Sequence, residues 1–127
     1  MISVVVGAAI VSGGKVLAQQ RGYPPSAAGR WELPGGRVEP GEDDRAALAR
    51  ECLEELGVRV EVGERVGPEV TLRAGLVLRI YRASLVAGTP HPYDHQAVRW
   101  VSVSDVDSVD WLPADRAIVP WLRALNP

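Results

Sequence analysis

The chain has 127 residues, 46% of them apolar and 24% charged, the size and balance of one domain able to bury a real core. Its formal net charge of −2 supplies no basic footprint, so neither polymeric nucleic acid nor an anionic membrane is expected as a partner. Cys52 is the only cysteine, which excludes an intrachain disulfide and gives no sign of an oxidising compartment.

The apolar start, Ile2 to Val11, contains Gly7 and has no basic region before it. It is too short to span a bilayer and reads poorly as a signal peptide; a buried first strand in a cytoplasmic protein is expected. Ser12-Gly13-Gly14 then reads as a hairpin turn and Lys15 to Arg21 as the partner strand. Gly22 to Gly29, with Pro24 and Pro25, must be loop. Trp31-Glu32-Leu33 is a short extended piece running into Pro34-Gly35-Gly36, whose glycines point to a close backbone approach or a positive φ. Asp43 and Asp44 open a helix that continues to Leu56 and stops at Gly57. Along it Leu48, Ala49, Cys52, Leu53 and Leu56 recur at helical spacing and predict the buried stripe.

Val58 to Val66, Glu69 to Arg73 and Leu76 to Val86 read as further strands. Gly88-Thr89-Pro90 turns the chain into a polar loop, His91 to Gln96, before a strand over Ala97 to Val103. Pro113 to Leu125 reads as a last helix whose interior Pro120 should kink or break it. Strands, a helix, more strands and a closing helix imply a mixed β-sheet flanked by helices on both faces. The expected class is α/β (α+β), in a single domain over 1–127, and not a βαβαβ repeat.

Glu51, Glu54 and Glu55 fall at i, i+3 and i+4, so their carboxylates emerge on one side of the helix. Like charges at that spacing cost roughly 0.2–0.5 kcal/mol per pair. The helix C-terminus disfavours each by about a further 0.3–1 kcal/mol. Arg50, four residues before Glu54, offsets part of this. A solvated acidic face and a hard-cation site both fit the trio; Mg2+ takes carboxylates, waters and substrate phosphates as ligands.

The surrounding residues separate these readings. Gly36, Glu42, Arg50, Glu51, Glu54, Glu55 and Gly57 stand at the spacing of the Nudix box, G-x5-E-x7-R-E-U-x-E-E-x-G-U, with U a bulky aliphatic. All seven fixed positions agree over the 23 residues Gly36 to Val58. At background frequencies a chance match is rarer than about one in a million. The one departure, Cys52 at the first U position, packs as a small hydrophobe and bears on helix packing only.

The chain therefore resembles the Nudix hydrolases, with the α/β/α sandwich of that family. It is similar throughout to the small MutT-type nucleoside triphosphate pyrophosphohydrolases, and most to the actinobacterial branch acting on cytidine and 8-oxo-guanine nucleotides. Leu17-Ala18-Gln19-Gln20-Arg21, Trp31-Glu32-Leu33-Pro34-Gly35-Gly36 and Trp111-Leu112-Pro113-Ala114-Asp115-Arg116 carry this wider likeness. It implies Mg2+, with Mn2+ as a substitute, held by Glu51, Glu54, Glu55 and the carbonyl of Gly36. It implies that Arg50 orients the glutamates, that Glu42 ties the loop to the helix, and that Glu51, Glu54 or Asp94 serves the catalytic step. Arg21, Glu32, Arg37 and Asp115 are implied to bind substrate, Arg21 through phosphate and Asp115 through the base. For Arg21, Asp94 and Asp115 an ordinary surface or helix-end charge is the competing reading.

An ionised Asp115 accepts hydrogen bonds only and suits the exocyclic amine of cytosine, so CTP and dCTP are expected ahead of 8-oxo-dGTP. The products implied are a nucleoside monophosphate and pyrophosphate, from a monomer or homodimer that cleans or balances nucleotide pools. Trp31, Trp100, Trp111 and Trp121 read as core or pocket wall, with Trp31 the best candidate for base stacking. His91 and His95 do not pair as metal ligands with the helix, and Arg73 and Arg79 stay undecided between substrate and surface. Two rivals remain: a Nudix hydrolase of ADP-ribose or dinucleoside polyphosphates, and a non-catalytic nucleotide sensor.

Overall fold

The computed structural model describes residues 1–125, so the last two residues of the expected domain lie outside it. The elements in order are β1 (Ser3–Ser12), β2 (Lys15–Gln20), β3 (Trp31–Glu32), β4 (Gly35–Arg37), α1 (Asp44–Leu56), β5 (Arg59–Arg65), β6 (Val70–Arg73), β7 (Leu76–Ala87), β8 (Ala97–Ser102), a 3-10 turn (Val103–Ser108), α2 (Pro113–Arg116) and α3 (Val119–Arg123). One mixed sheet joins the strands. β1 runs parallel to β7 from Ser3 to Ile10 and antiparallel to β4, then meets β2 at Val11 and Ser12. β8 and β3 flank β2, while β5 and β6 pair with β7.

The apolar run at the start of the chain is explained by burial on both faces. Val6, Ala8 and Ile10 of β1, Leu17 of β2, and Tyr81 and Ala83 of β7 pack under α1 with Leu48, Cys52 and Leu56. The alternate residues Ala9, Val16, Ala18, Leu78 and Ile80 face Trp111, Ile118, Val119 and Leu122 at the other surface. Two cores on two sides of the sheet make the α/β/α sandwich.

Asp43 caps α1, accepting from the Ala46 N–H at 2.8 Å, and Gly57 closes it at φ 71°, its N–H returning to the Leu53 carbonyl. The buried stripe differs from expectation. It comprises Ala47, Leu48, Cys52 and Leu56; Ala49 is half-buried and Leu53 is 47% exposed. At 100° per residue from Leu48, Glu55 lies about 20° and Glu51 about 60° to one side, and Leu53 about 140° to the other. The helix has rolled to carry two glutamates inward, which leaves a leucine in water.

The final helix is two. α2 ends at Arg116 and α3 begins at Val119, so the helix is broken, one of the two expected outcomes, and Pro120 falls in the first turn of the second piece. Gly35-Gly36 is strand, paired with Val6 and Gly7 of β1. A side chain at Gly35 would overlap the Val6 carbonyl oxygen, which accounts for the close-approach glycine.

Candidate active site

Arg50 gathers the acidic residues of the box. Its Nε and one terminal amine grip Glu42 at 2.7 and 3.0 Å, a two-point contact that is the strongest form of this pair. The other amine reaches Glu51 at 2.7 Å and Glu54 at 3.3 Å. The Arg37 carbonyl accepts a further bond at 3.1 Å. The Arg50 contact, with the Glu39 N–H, holds the Glu42 carboxyl down at about 2. Burial instead pushes the Glu51 carboxyl upward, and Arg50 offsets part of the shift.

Glu55 is held without an arginine. Its Oε1 accepts from the Gly35 N–H at 2.9 Å and the Gln19 amide at 3.3 Å. Burial raises its pKa well above the usual carboxylate range, against the pull of the Gly35 N–H, His95 and Gln19. Glu55 lines a cavity of about 630 Å³ together with Gly35, Gly36, Arg21, Glu32 and Asp115; its apolar wall includes Val5, Leu33, Val70, Leu72 and Leu78.

Asp115, on α2, is 7% exposed, and its Oδ2 accepts from the Leu33 N–H at 3.0 Å. Burial pushes its pKa up to about 7, with Leu33 pulling the other way and Glu32 adding to the rise. The expectation of a simply ionised aspartate is therefore corrected: near neutral pH both states are populated, and the protonated one can donate as well as accept. Glu32 Oε2 receives Arg21 at 3.3 Å and His95 Nε2 at 2.7 Å.

The NUDIX domain family matches residues 1–122. This chain belongs to the Nudix hydrolases. Over 127 aligned positions it is 51% identical to the "Putative 8-oxo-dGTP diphosphatase 2" of Mycobacterium tuberculosis, covering 97% of this chain and 90% of that protein. It is 38% identical to the CTP pyrophosphohydrolase of Escherichia coli (strain K12), covering 96% and 92% respectively. The solution structure of the E. coli ORF135 protein matches with TM-score 0.83 at 36% identity, over 98% of this chain and 90% of that one.

Nudix hydrolases act on nucleotides and generally use divalent metal ions. The residues present suit such an ion. Glu51, Glu54 and Glu55 are hard oxygen donors on adjoining turns, and a side chain at Gly36 would displace the Glu51 carboxylate from where it now lies against that backbone. Among the described residues, no three acidic, histidine or cysteine side chains are already drawn together as a cage. Arg50 stands among the carboxylates as their counter-charge.

Glu55 and Gly36 line the cavity, whereas Arg50, Glu51 and Glu54 stand outside its lining, and other expected residues lie apart from it too. Arg37 is exposed and contributes its carbonyl to Arg50, and Asp94 is exposed in the loop before β8. Neither is among the cavity residues, and no tryptophan is either. Trp31 instead carries the Arg99 guanidinium 5.5 Å above its ring, and Trp111 is core, donating to the Val106 carbonyl. Arg79 is committed to Glu69 and Asp44. Two neighbours of the site escaped the sequence reading. Gln19 is fully buried, and its place two residues after Leu17 on one strand face was a usable signal. His95 sits in a polar loop, where spacing carries no such signal. No described helix is long and apolar enough to cross a membrane.

Proposed function

We propose that this chain, as a single domain over 1–127, is a Mg2+-dependent nucleoside triphosphate pyrophosphohydrolase. Its substrates are CTP and dCTP, modified dCTP included, with 8-oxo-dGTP as a second; the products are the nucleoside monophosphate and pyrophosphate. One observation carries this reading: Glu55 of the box and the buried Asp115 line the same cavity. A solvated acidic face has no reason to turn Glu51 and Glu55 inward at the cost of exposing Leu53.

Glu51, Glu54, Glu55 and the Gly36 carbonyl would hold Mg2+, or Mn2+ in its place. When bound, the ion neutralises phosphate charge and acidifies water. Arg50 keeps Glu51 and Glu54 directed while Glu42 anchors Arg50 from behind. Proton removal from the attacking water falls to a carboxylate, Glu51, Glu54 or Asp94. Arg21 is available to phosphate at the cavity wall. Asp115 leaves one oxygen for the base: ionised, it accepts from the cytosine amine; protonated, it also donates, which suits the altered edge of 8-oxo-guanine. The names of the M. tuberculosis and E. coli relatives support both substrates.

The test is pyrophosphate release from CTP with Mg2+. Folded Glu54→Gln and Glu55→Gln proteins are expected to lose about a hundredfold or more in kcat, the scale of a lost general base or misplaced metal. Turnover equal to the parent would remove the assignment.

A further inference from the structure

His95 leaves the loop between β7 and β8, yet only 5% of its side chain is exposed. Backbone bonds pin that loop on two neighbours. The His91 and Tyr93 N–H groups donate to the Leu56 and Glu55 carbonyls at the end of α1, and the Gln96 N–H donates to the Gln20 carbonyl in β2. The imidazole Nε2 lies 2.7 Å from Glu32 Oε2. An ionised carboxylate only accepts, so Nε2 carries the proton. Nδ1 is buried with no partner. Moving the proton to Nδ1 would strand a donor there and turn the Nε2 lone pair toward the carboxylate, so the geometry selects one tautomer.

Arg21 reaches the same Glu32 oxygen at 3.3 Å. Two donors thus converge on Oε2, and among the described residues no hydrogen bond falls on Oε1. Glu32 belongs to a strand of two residues, too short to fix a long side chain by its own packing. Glu32 also lines the cavity with Asp115.

We propose that His95 is a positioning residue: with Arg21 it clamps one oxygen of Glu32, so that the other is presented to a hydrogen-bond donor of the bound nucleotide. This rests on the nucleotide reading of the cavity. Because Glu32 adjoins the Leu33 contact of Asp115, the proposed base reader, the clamp governs binding more than the chemical step.

The experiment compares CTP hydrolysis by the parent, His95→Ala, His95→Asn and His95→Gln, with thermal unfolding of each. His95→Ala is expected to raise KM about tenfold with kcat within about threefold, the value of one hydrogen bond to a charged group. Gln can place an N–H near the Nε2 position and is expected to recover most of the loss; Asn, which is too short, is not. In a Glu32→Gln background the His95 substitutions should have little further effect. Equal KM for the Asn and Gln proteins, or full additivity with Glu32→Gln, overturns the proposal. Nitrogen-15 NMR of the imidazole supplies a readout independent of activity: a proton on Nε2 is expected, and one on Nδ1 alone refutes the clamp. If the parent hydrolyses no triphosphate, the cavity reading fails; if the parent is active and every His95 protein matches it, only the clamp fails.

Discussion

Arg50 draws its partners from no farther than Arg37, 13 residues away, whereas Asp115 meets Leu33 across 82 residues and His95 meets Glu32 across 63. The charges are also answered differently. In the Arg50 cluster a guanidinium compensates the carboxylates, and Glu42 ionises more easily than usual. Against burial and a like-charged neighbour in Glu32, Asp115 has backbone N–H groups and, among the described residues, no cation, so its pKa rises to about 7. One region is thus an ionic anchor in which Glu42 stays ionised throughout the physiological range. The other is a recognition surface whose hydrogen-bonding character changes within that range.

Removing the anchor should produce the largest effect. Arg50→Met leaves Glu42, Glu51 and Glu54 without their shared counter-charge; kcat for CTP is expected to fall about a hundredfold through misplaced carboxylates. The part-buried network should add a loss of roughly 2 kcal/mol, seen as a lower Tm. An active Arg50→Met protein would erase the distinction between anchor and surface.

Asp115→Asn tests the second region alone. Asparagine still accepts from the Leu33 N–H, so the fold is kept, while the ratio of kcat/KM for dCTP to that for 8-oxo-dGTP is expected to fall about tenfold. An unchanged ratio would mean that the residue does not read the base. For the parent, dCTP binding should strengthen relative to 8-oxo-dGTP as pH rises from 6 through about 7, following ionisation of Asp115.

Stability should reveal the same carboxyl. Its pKa in the fold, about 7, exceeds the ordinary 3.8, so the folded state binds this proton more tightly. The stabilisation is complete below about pH 4 and is lost as pH rises through about 7. Asparagine does not ionise, so the Tm of Asp115→Asn relative to the parent should increase between pH 5 and pH 8, by roughly 5 °C. A difference independent of pH would show that Asp115 is not buried as described. The smallest effect belongs to the outward face of α1: Leu53→Ala should change stability by less than about 0.5 kcal/mol, whereas Leu48→Ala should cost about 2–5 kcal/mol. A large Leu53 effect would mean that the roll of the helix is wrong.

The roll of α1 marks where periodicity stopped being informative. A pattern of leucines at three and four residues cannot tell which arc of a helix faces the sheet when glutamates share that arc. Leu53 was assigned to the buried stripe and is exposed, while Glu55, read as a metal ligand, is the residue that shares the inward arc. Asp115 was read as an ionised contact to the base, with a plain helix-end charge as the rival, because sequence does not carry the dielectric of a buried site. The proline rule foresaw a kink or break in the last helix; that the division falls at Ala117–Ile118, with Pro120 opening the second piece, was not legible in it.

By itself the sequence determined the order of the strands other than β4, the position of α1 with its glycine stop after Leu56, and the spacing of the box. These features depend on bonds and side chains within a few turns of chain, where geometry follows from residue type. Only the tertiary structure decided that Glu55 and Asp115 share one cavity and that His95 holds Glu32. Those contacts join segments separated by tens of residues, and their energies depend on burial, which no local pattern encodes.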